Sequence, residues 1–177
     1  MIKIKKILLT YIILLFVLSA CNLSKSTEGD QYNGHSLNIG IIGELPKSNS
    51  DRVKFHSMTF TDLHNDSDLS STYDAIFITK DNFNEASQSE YARIYKNAKL
   101  PFFFIESKKS YIPFIYEDVS YKDAPVIDDQ MYITGIFIKN EQIDFWGFGL
   151  LNNQMTDKNI NNAFERVFST INKLKVN

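Results

Sequence analysis

Two short, uninterrupted apolar runs constrain the fold of this chain more than any other feature of its sequence. Asp74 to Thr79 and Pro101 to Ile105 show no polar alternation, which is typical of strands covered on both faces in a parallel sheet. Between them, Asn82 to Asn97 has the spacing of an amphipathic helix, with Asn82 and Glu85 placed as a capping pair. The sequence therefore predicts a right-handed βαβ unit.

Four further apolar segments predict strands on either side of this unit. They span Leu37 to Gly43, Val53 to Phe60, Met131 to Ile138 and Gln142 to Leu151. A tight polar turn near Asn140 and Glu141 separates the last two segments, which predicts an antiparallel hairpin. The type of this turn stays open because the turn contains no glycine.

The end of the chain has the pattern of a long amphipathic helix, from about Asp157 to Lys175. Thr156 is placed to cap its start, and its apolar positions follow the helical repeat: Ile160, Ala163, Phe164, Val167, Phe168, Ile171 and Leu174. Residues 37–177 are thus predicted to form one α/β domain with a mixed β-sheet, a βαβ unit, a C-terminal β-hairpin and a C-terminal amphipathic helix. The first half resembles the order of flavodoxin-like folds, although Glu44 to Val53 is short for a crossover helix.

The amino-terminal segment has the pattern of a signal peptide. A basic start, Met1 to Lys6, precedes an apolar run of 14 residues from Ile7 to Ala20. A membrane-spanning helix needs about 20 such residues, so this run is too short to span a bilayer. The run ends at Leu18-Ser19-Ala20-Cys21, an aliphatic residue and two small residues before the only cysteine of the chain.

This ending resembles the lipobox of bacterial lipoproteins. The resemblance implies attachment of diacylglycerol to Cys21, cleavage after Ala20, and anchoring on the extracytoplasmic side of the cell membrane. Residues 1–20 are then the signal peptide, and residues 21–36 are the lipidated cysteine with a flexible, polar tether. An ordinary signal peptide that ends near a cysteine, or a core helix, is the alternative interpretation.

Charge and motifs exclude several functional classes. Of the 19 basic residues three lie in the predicted signal peptide, which leaves 16 against 21 acidic residues and argues against a nucleic-acid partner. With one cysteine, neither an internal disulfide nor a cysteine zinc site can form. The acidic string from Asp62 to Asp68 fails the calcium-loop pattern and is predicted to be a solvated turn. The sequence assigns no catalytic residue, no metal and no cofactor.

Charged residues follow the predicted parallel strands at the point where each strand ends. Open α/β sheets bind ligands at the carboxyl ends of their strands, which makes a candidate ligand site of Glu44, Lys80, Asp81, Glu106 and Lys108. The helix predicted to begin near Asn82 would direct backbone N–H groups to the same edge and favour an anionic group. Solvated loops also carry such residues, so this site is a hypothesis.

Three functions stay open at the level of sequence. The first is an envelope lipoprotein whose domain binds a small ligand or another envelope protein. The second is a hydrolase or transferase acting on cell-envelope material, with a site assembled from loops. The third is a purely structural or assembly role.

Overall fold

A six-stranded mixed sheet forms the centre of the fold, in the order β2-β1-β3-β4-β5-β6. The structure is a computed structural model and describes residues 31–44, 50–66, 68–127 and 131–176. The strands are β1 (Leu37–Ile42), β2 (Val53–Ser57), β3 (Ala75–Thr79), β4 (Phe102–Ile105), β5 (Met131–Lys139) and β6 (Gln142–Gly149). The first four are parallel, and β5 and β6 are antiparallel to their neighbours. The predicted mixed sheet and C-terminal hairpin are therefore confirmed.

Helices cover both faces of the sheet. They are α1 (Phe60–Asn65), α2 (Leu69–Thr72), α3 (Phe83–Ala86), α4 (Ser89–Asn97), α5 (Ile112–Ile115) and α6 (Asp157–Val176), with single 3₁₀ turns at Lys80–Asn82 and Leu151–Asn153. One core cluster lies between the sheet and α1 to α5, and a second lies between the sheet and α6. The predicted βαβ unit is confirmed, because β3 and β4 are parallel and joined by α3 and α4.

The C-terminal helix α6 also agrees with its prediction. Thr156 caps it, since its Oγ1 accepts a hydrogen bond from the Asn159 N–H at 3.3 Å. Five of its predicted apolar positions are completely buried against the sheet: Ala163, Phe164, Val167, Phe168 and Ile171.

The prediction of a solvated turn from Asp62 to Asp68 is wrong as far as Asn65, because Phe60–Asn65 form the helix α1. Thr59 and Asp62 make a capping box, in which the Thr59 side chain accepts from the Asp62 N–H at 3.1 Å and Asp62 accepts from the Thr59 N–H at 2.8 Å. The box ends the predicted strand early and turns the chain into a helix. Phe60 and Leu63 are buried as a result.

The helix predicted from Asn82 to Asn97 is interrupted between α3 and α4. Ser87 competes with the helical backbone, because its hydroxyl donates to the Asn84 carbonyl at 3.2 Å and accepts from the Tyr121 N–H at 2.9 Å. Asn82 does not cap α3; its amide donates to Thr79 Oγ1 at 3.2 Å instead. The expected capping pair therefore does not form.

The end of the predicted tether lies against α6. Tyr32 is buried, packs edge-on against Phe168 and donates its hydroxyl to the His35 carbonyl at 2.6 Å. Its backbone N–H donates to the Glu165 carboxylate, whose pKa is nevertheless raised by burial. The docked residues thus extend the domain back to Tyr32, while Cys21 and the predicted signal peptide lie outside the described residues.

The two-residue turn between β5 and β6 is conformationally strained. Asn140 and Glu141 both have positive φ, 52° and 65°, as a type I′ turn requires. Glu141→Gly should raise the free energy of unfolding by about 0.5–1 kcal/mol, because relief of left-handed strain exceeds the added chain entropy of glycine. Urea denaturation measures this change. Glu141→Ala is the control, and equal stability of the two variants would contradict the prediction.

Candidate functional site

A row of charged and polar residues crosses the carboxyl edge of the sheet. The register pairs Ile42 with Ile78, Thr79 with Ile105, and Ile105 with Ile133. Extending each pairing beyond the strand ends aligns Glu44, Lys80, Glu106 and Tyr132 on four neighbouring strands. Three of the five predicted site residues therefore share this row.

Lys80 and Glu106 form an ion pair within the row. Lys80 Nζ lies 2.7 Å from Glu106 Oε2, and the two side chains are 54% and 25% exposed. Glu106, and more weakly Asp81, raise the pKa of Lys80 above its ordinary value. Because the pair is open to solvent, its contribution to stability is small, about 0–1 kcal/mol.

Glu106 has a backbone conformation that residues other than glycine seldom adopt. Its φ is +64°, in the left-handed region, directly after β4. Such a conformation costs about 1–2 kcal/mol for any residue other than glycine, and outliers of this kind gather at functional sites. Its neighbour Tyr132 is buried, and burial together with the Glu106 carboxylate raises the pKa of its phenol to about 12.

Two hydroxyl groups beside the row, those of Ser107 and Thr134, form hydrogen bonds with the backbone. Ser107 and Thr134 are completely buried, and both donate hydrogen bonds to the Lys109 carbonyl, at 3.1 Å and 2.8 Å. Lys109 Nζ in turn donates to the carbonyls of Tyr121 and Lys122. These contacts fix the loop after β4, so the two hydroxyls act as structural anchors there.

The crevice between β1 and β3, where such sheets usually hold ligands, is filled by side chains of the protein itself. Gly43 has a φ of +102°, and a β-carbon there would lie 1.9 Å from Thr79 Oγ1. Thr79 donates to the Ile42 carbonyl at 3.4 Å, and Asn82 contacts both groups. A ligand at this edge would therefore lie on the row rather than between the strands.

The structure separates the predicted site residues into two groups. Glu44, Lys80 and Glu106 lie along the row, with Asp81 beside Lys80. Lys108 is exposed on the loop after β4, and only its backbone carbonyl has a described hydrogen bond, from the Ile127 N–H at 3.4 Å. The structure does not support the anionic ligand expected at the start of the helix. The helix α3 has only four residues, so its dipole is small. The row also contains two carboxylates and one ammonium group, which disfavours an anion.

A second candidate site lies at the amino edge of the sheet, between α1, α2 and α4. It is an open pocket of about 620 Å³. Its floor consists of apolar side chains from both sides, namely Leu63, Leu69, Ile94 and Ala98. Asp66 and Asp68 line the pocket from the side of α1 and α2, here called the acidic wall, and Arg93 and Lys99 line it from the side of α4, here called the basic wall. Sequence reasoning missed this pocket, because its walls come from segments about 30 residues apart.

The sequence matches no protein-family model and no curated protein, and the structure matches no solved structure. Within the described ranges no helix is long and apolar enough to cross a membrane. The same residues contain no group of three or more histidines, cysteines or acids that could hold a metal ion. The function is therefore inferred from the geometry of the two edges.

Proposed function

We propose that this chain is an envelope lipoprotein, held on the outer face of the cell membrane by lipid on Cys21, whose α/β domain is a binding module. The anchor is supported by the basic start, the short apolar run and the Leu18-Ser19-Ala20-Cys21 ending. A small ligand or another envelope protein is the partner of the domain.

The observation that carries the proposal is the position of residues 32–35, which dock on α6. Tyr32 lies against the middle of α6, where it packs on Phe168, and His35 lies nearer the end of the helix, where Asn172 Oδ1 accepts from the His35 N–H at 3.0 Å. The chain then enters β1 at Leu37, on the amino edge of the sheet. An anchor that precedes Tyr32 thus reaches the domain along α6, on one face of the sheet, while Glu44, Lys80 and Glu106 lie at the carboxyl edge, outside the docked residues.

Binding is favoured over catalysis by the state of the polar groups at the carboxyl edge. The Ser107 and Thr134 hydroxyls are committed to the Lys109 carbonyl, so neither is poised as a nucleophile. Glu106 is held by the Lys80 ammonium group at 2.7 Å, which suits recognition of charge better than proton transfer.

Cys21→Ala tests the anchor. The wild-type chain should fractionate with membranes, incorporate a radiolabelled fatty acid and migrate as the processed form on a gel. The variant should lose the label completely and appear either in the soluble fraction or as the larger, uncleaved precursor, because diacylglycerol has no thiol to join.

Ser24→Ala, three residues beyond Cys21, is the matched control and should behave like the wild type. If Cys21→Ala retained the fatty-acid label, or left membrane association and gel mobility unchanged, the lipoprotein assignment would be wrong.

A further inference from the structure

The pocket at the amino edge is lined by side chains of opposite charge that do not pair with each other. Asp66 and Asp68 both precede α2, whereas Arg93 lies on α4 and Lys99 follows that helix. Among the described residues no ion pair joins the two walls, and Arg93 instead contacts Glu117 at 3.6 Å. A molecule in the pocket would therefore meet both acidic and basic side chains that are not paired with each other.

Lys99 is the basic residue of the pocket whose side chain is not engaged by another described residue. It makes no hydrogen bond or ion pair with any other described residue. It also has a φ of +56°, at the position after the helix end where glycine or asparagine is usual. A lysine in this place is unfavourable for the backbone, and a function of its side chain would account for it.

The acidic wall is fixed by local hydrogen bonds that leave carboxylate oxygens available. Asp66 Oδ1 accepts from the Asp68 N–H at 2.9 Å, and Asp68 Oδ1 accepts from Ser70 Oγ at 3.0 Å. Both side chains are exposed at the rim. A carboxylate has room for several donors, so each can also receive an ammonium group.

We propose that this pocket binds a short zwitterionic peptide of two or three residues with apolar side chains. The ammonium terminus would lie at Asp66 and Asp68, the carboxylate terminus at Lys99, and the side chains on Ile94 and Ala98, the partly exposed apolar residues of the floor. The volume of about 620 Å³ exceeds what one amino acid fills and matches pockets for molecules of peptide size, roughly 300–1,000 Å³. The proposal names a ligand for the binding module, but it does not depend on the lipid anchor.

Calorimetric titration of dileucine into the full chain tests this proposal. The chain is held in phosphatidylglycerol nanodiscs, whose lipid carries no ammonium group, and empty nanodiscs serve as the blank. We expect saturable 1:1 binding, weakened about tenfold or more by Lys99→Ala and by Asp68→Asn. Lys96→Ala, on the exposed side of α4, and Asp157→Asn, at the exposed start of α6, are the matched controls and should bind like the wild type.

Blocked peptides assign each terminus to its wall. Amidating the carboxylate should weaken binding to the wild type and remove the effect of Lys99→Ala, while acetylating the amine should remove the effect of Asp68→Asn. Leucine alone should bind at least about tenfold more weakly, because it buries one apolar side chain in the pocket instead of two. Equal affinity for leucine would overturn the assignment of a peptide in favour of a free amino acid.

Lys99→Gly separates a functional lysine from a structural one. Glycine relieves the left-handed strain, so this variant should melt at a higher temperature than the wild type and yet bind dileucine as weakly as Lys99→Ala. The proposal is overturned if no saturable binding occurs up to about 10 mM peptide, or if both lysine variants bind like the wild type.

Discussion

Deleting residues 157–177 should abolish cooperative folding of the domain. Four large side chains of α6 are completely buried, namely Phe164, Val167, Phe168 and Ile171. At about 1.5–3 kcal/mol each they contribute roughly 6–12 kcal/mol, comparable with the whole stability of a small domain. The deletion also exposes the apolar face of the sheet that α6 covers, including Ile39 and Phe103. Circular dichroism during urea titration should then show no cooperative transition.

A matched pair of point variants tests the same prediction without shortening the chain. Val167→Asp places a carboxylate in the completely buried side of α6, whereas Ser169→Asp places it on the exposed side of the same turn. We expect the first variant to unfold and the second to keep the wild-type unfolding transition within about 0.5 kcal/mol. A soluble, cooperative domain after the deletion would show that α6 is not part of the core.

The strands and α6 could be predicted well because buried positions appear in the sequence as apolar runs or as apolar residues at helical spacing. β3 and β4 are buried at every position, and both read as uninterrupted apolar runs. The helix between them is interrupted through tertiary contacts, since Ser87 accepts a hydrogen bond from the distant Tyr121 N–H. No local pattern contains such a contact, so the break could not be predicted.

The proximity of Lys80 and Glu106 at the carboxyl edge could be predicted from the sequence, whereas the amino-edge pocket could not. The rule on strand ends selects Lys80 and Glu106 from sequence alone, and the structure places them 2.7 Å apart. The positive φ of Glu106 leaves no sequence signal, because a glutamate does not mark a left-handed position as glycine does. The pocket, by contrast, depends on how α1, α2 and α4 pack, which requires three-dimensional coordinates.

Phe77→Ala should be the most damaging single truncation in the sheet. Phe77 lies in β3, the third strand of six, is completely buried, and stacks on Phe164 and Phe168 at ring distances of 6.1 Å and 6.4 Å. Losing a buried phenylalanine costs about 3–5 kcal/mol, which corresponds to a fall of roughly 1–3 M in the urea midpoint. Phe145→Ala, the same change at a side chain that is 39% exposed on the edge strand β6, should cost less than about 1 kcal/mol. Equal losses in the two variants would mean that the aromatic contacts around β3 do not hold the two layers together.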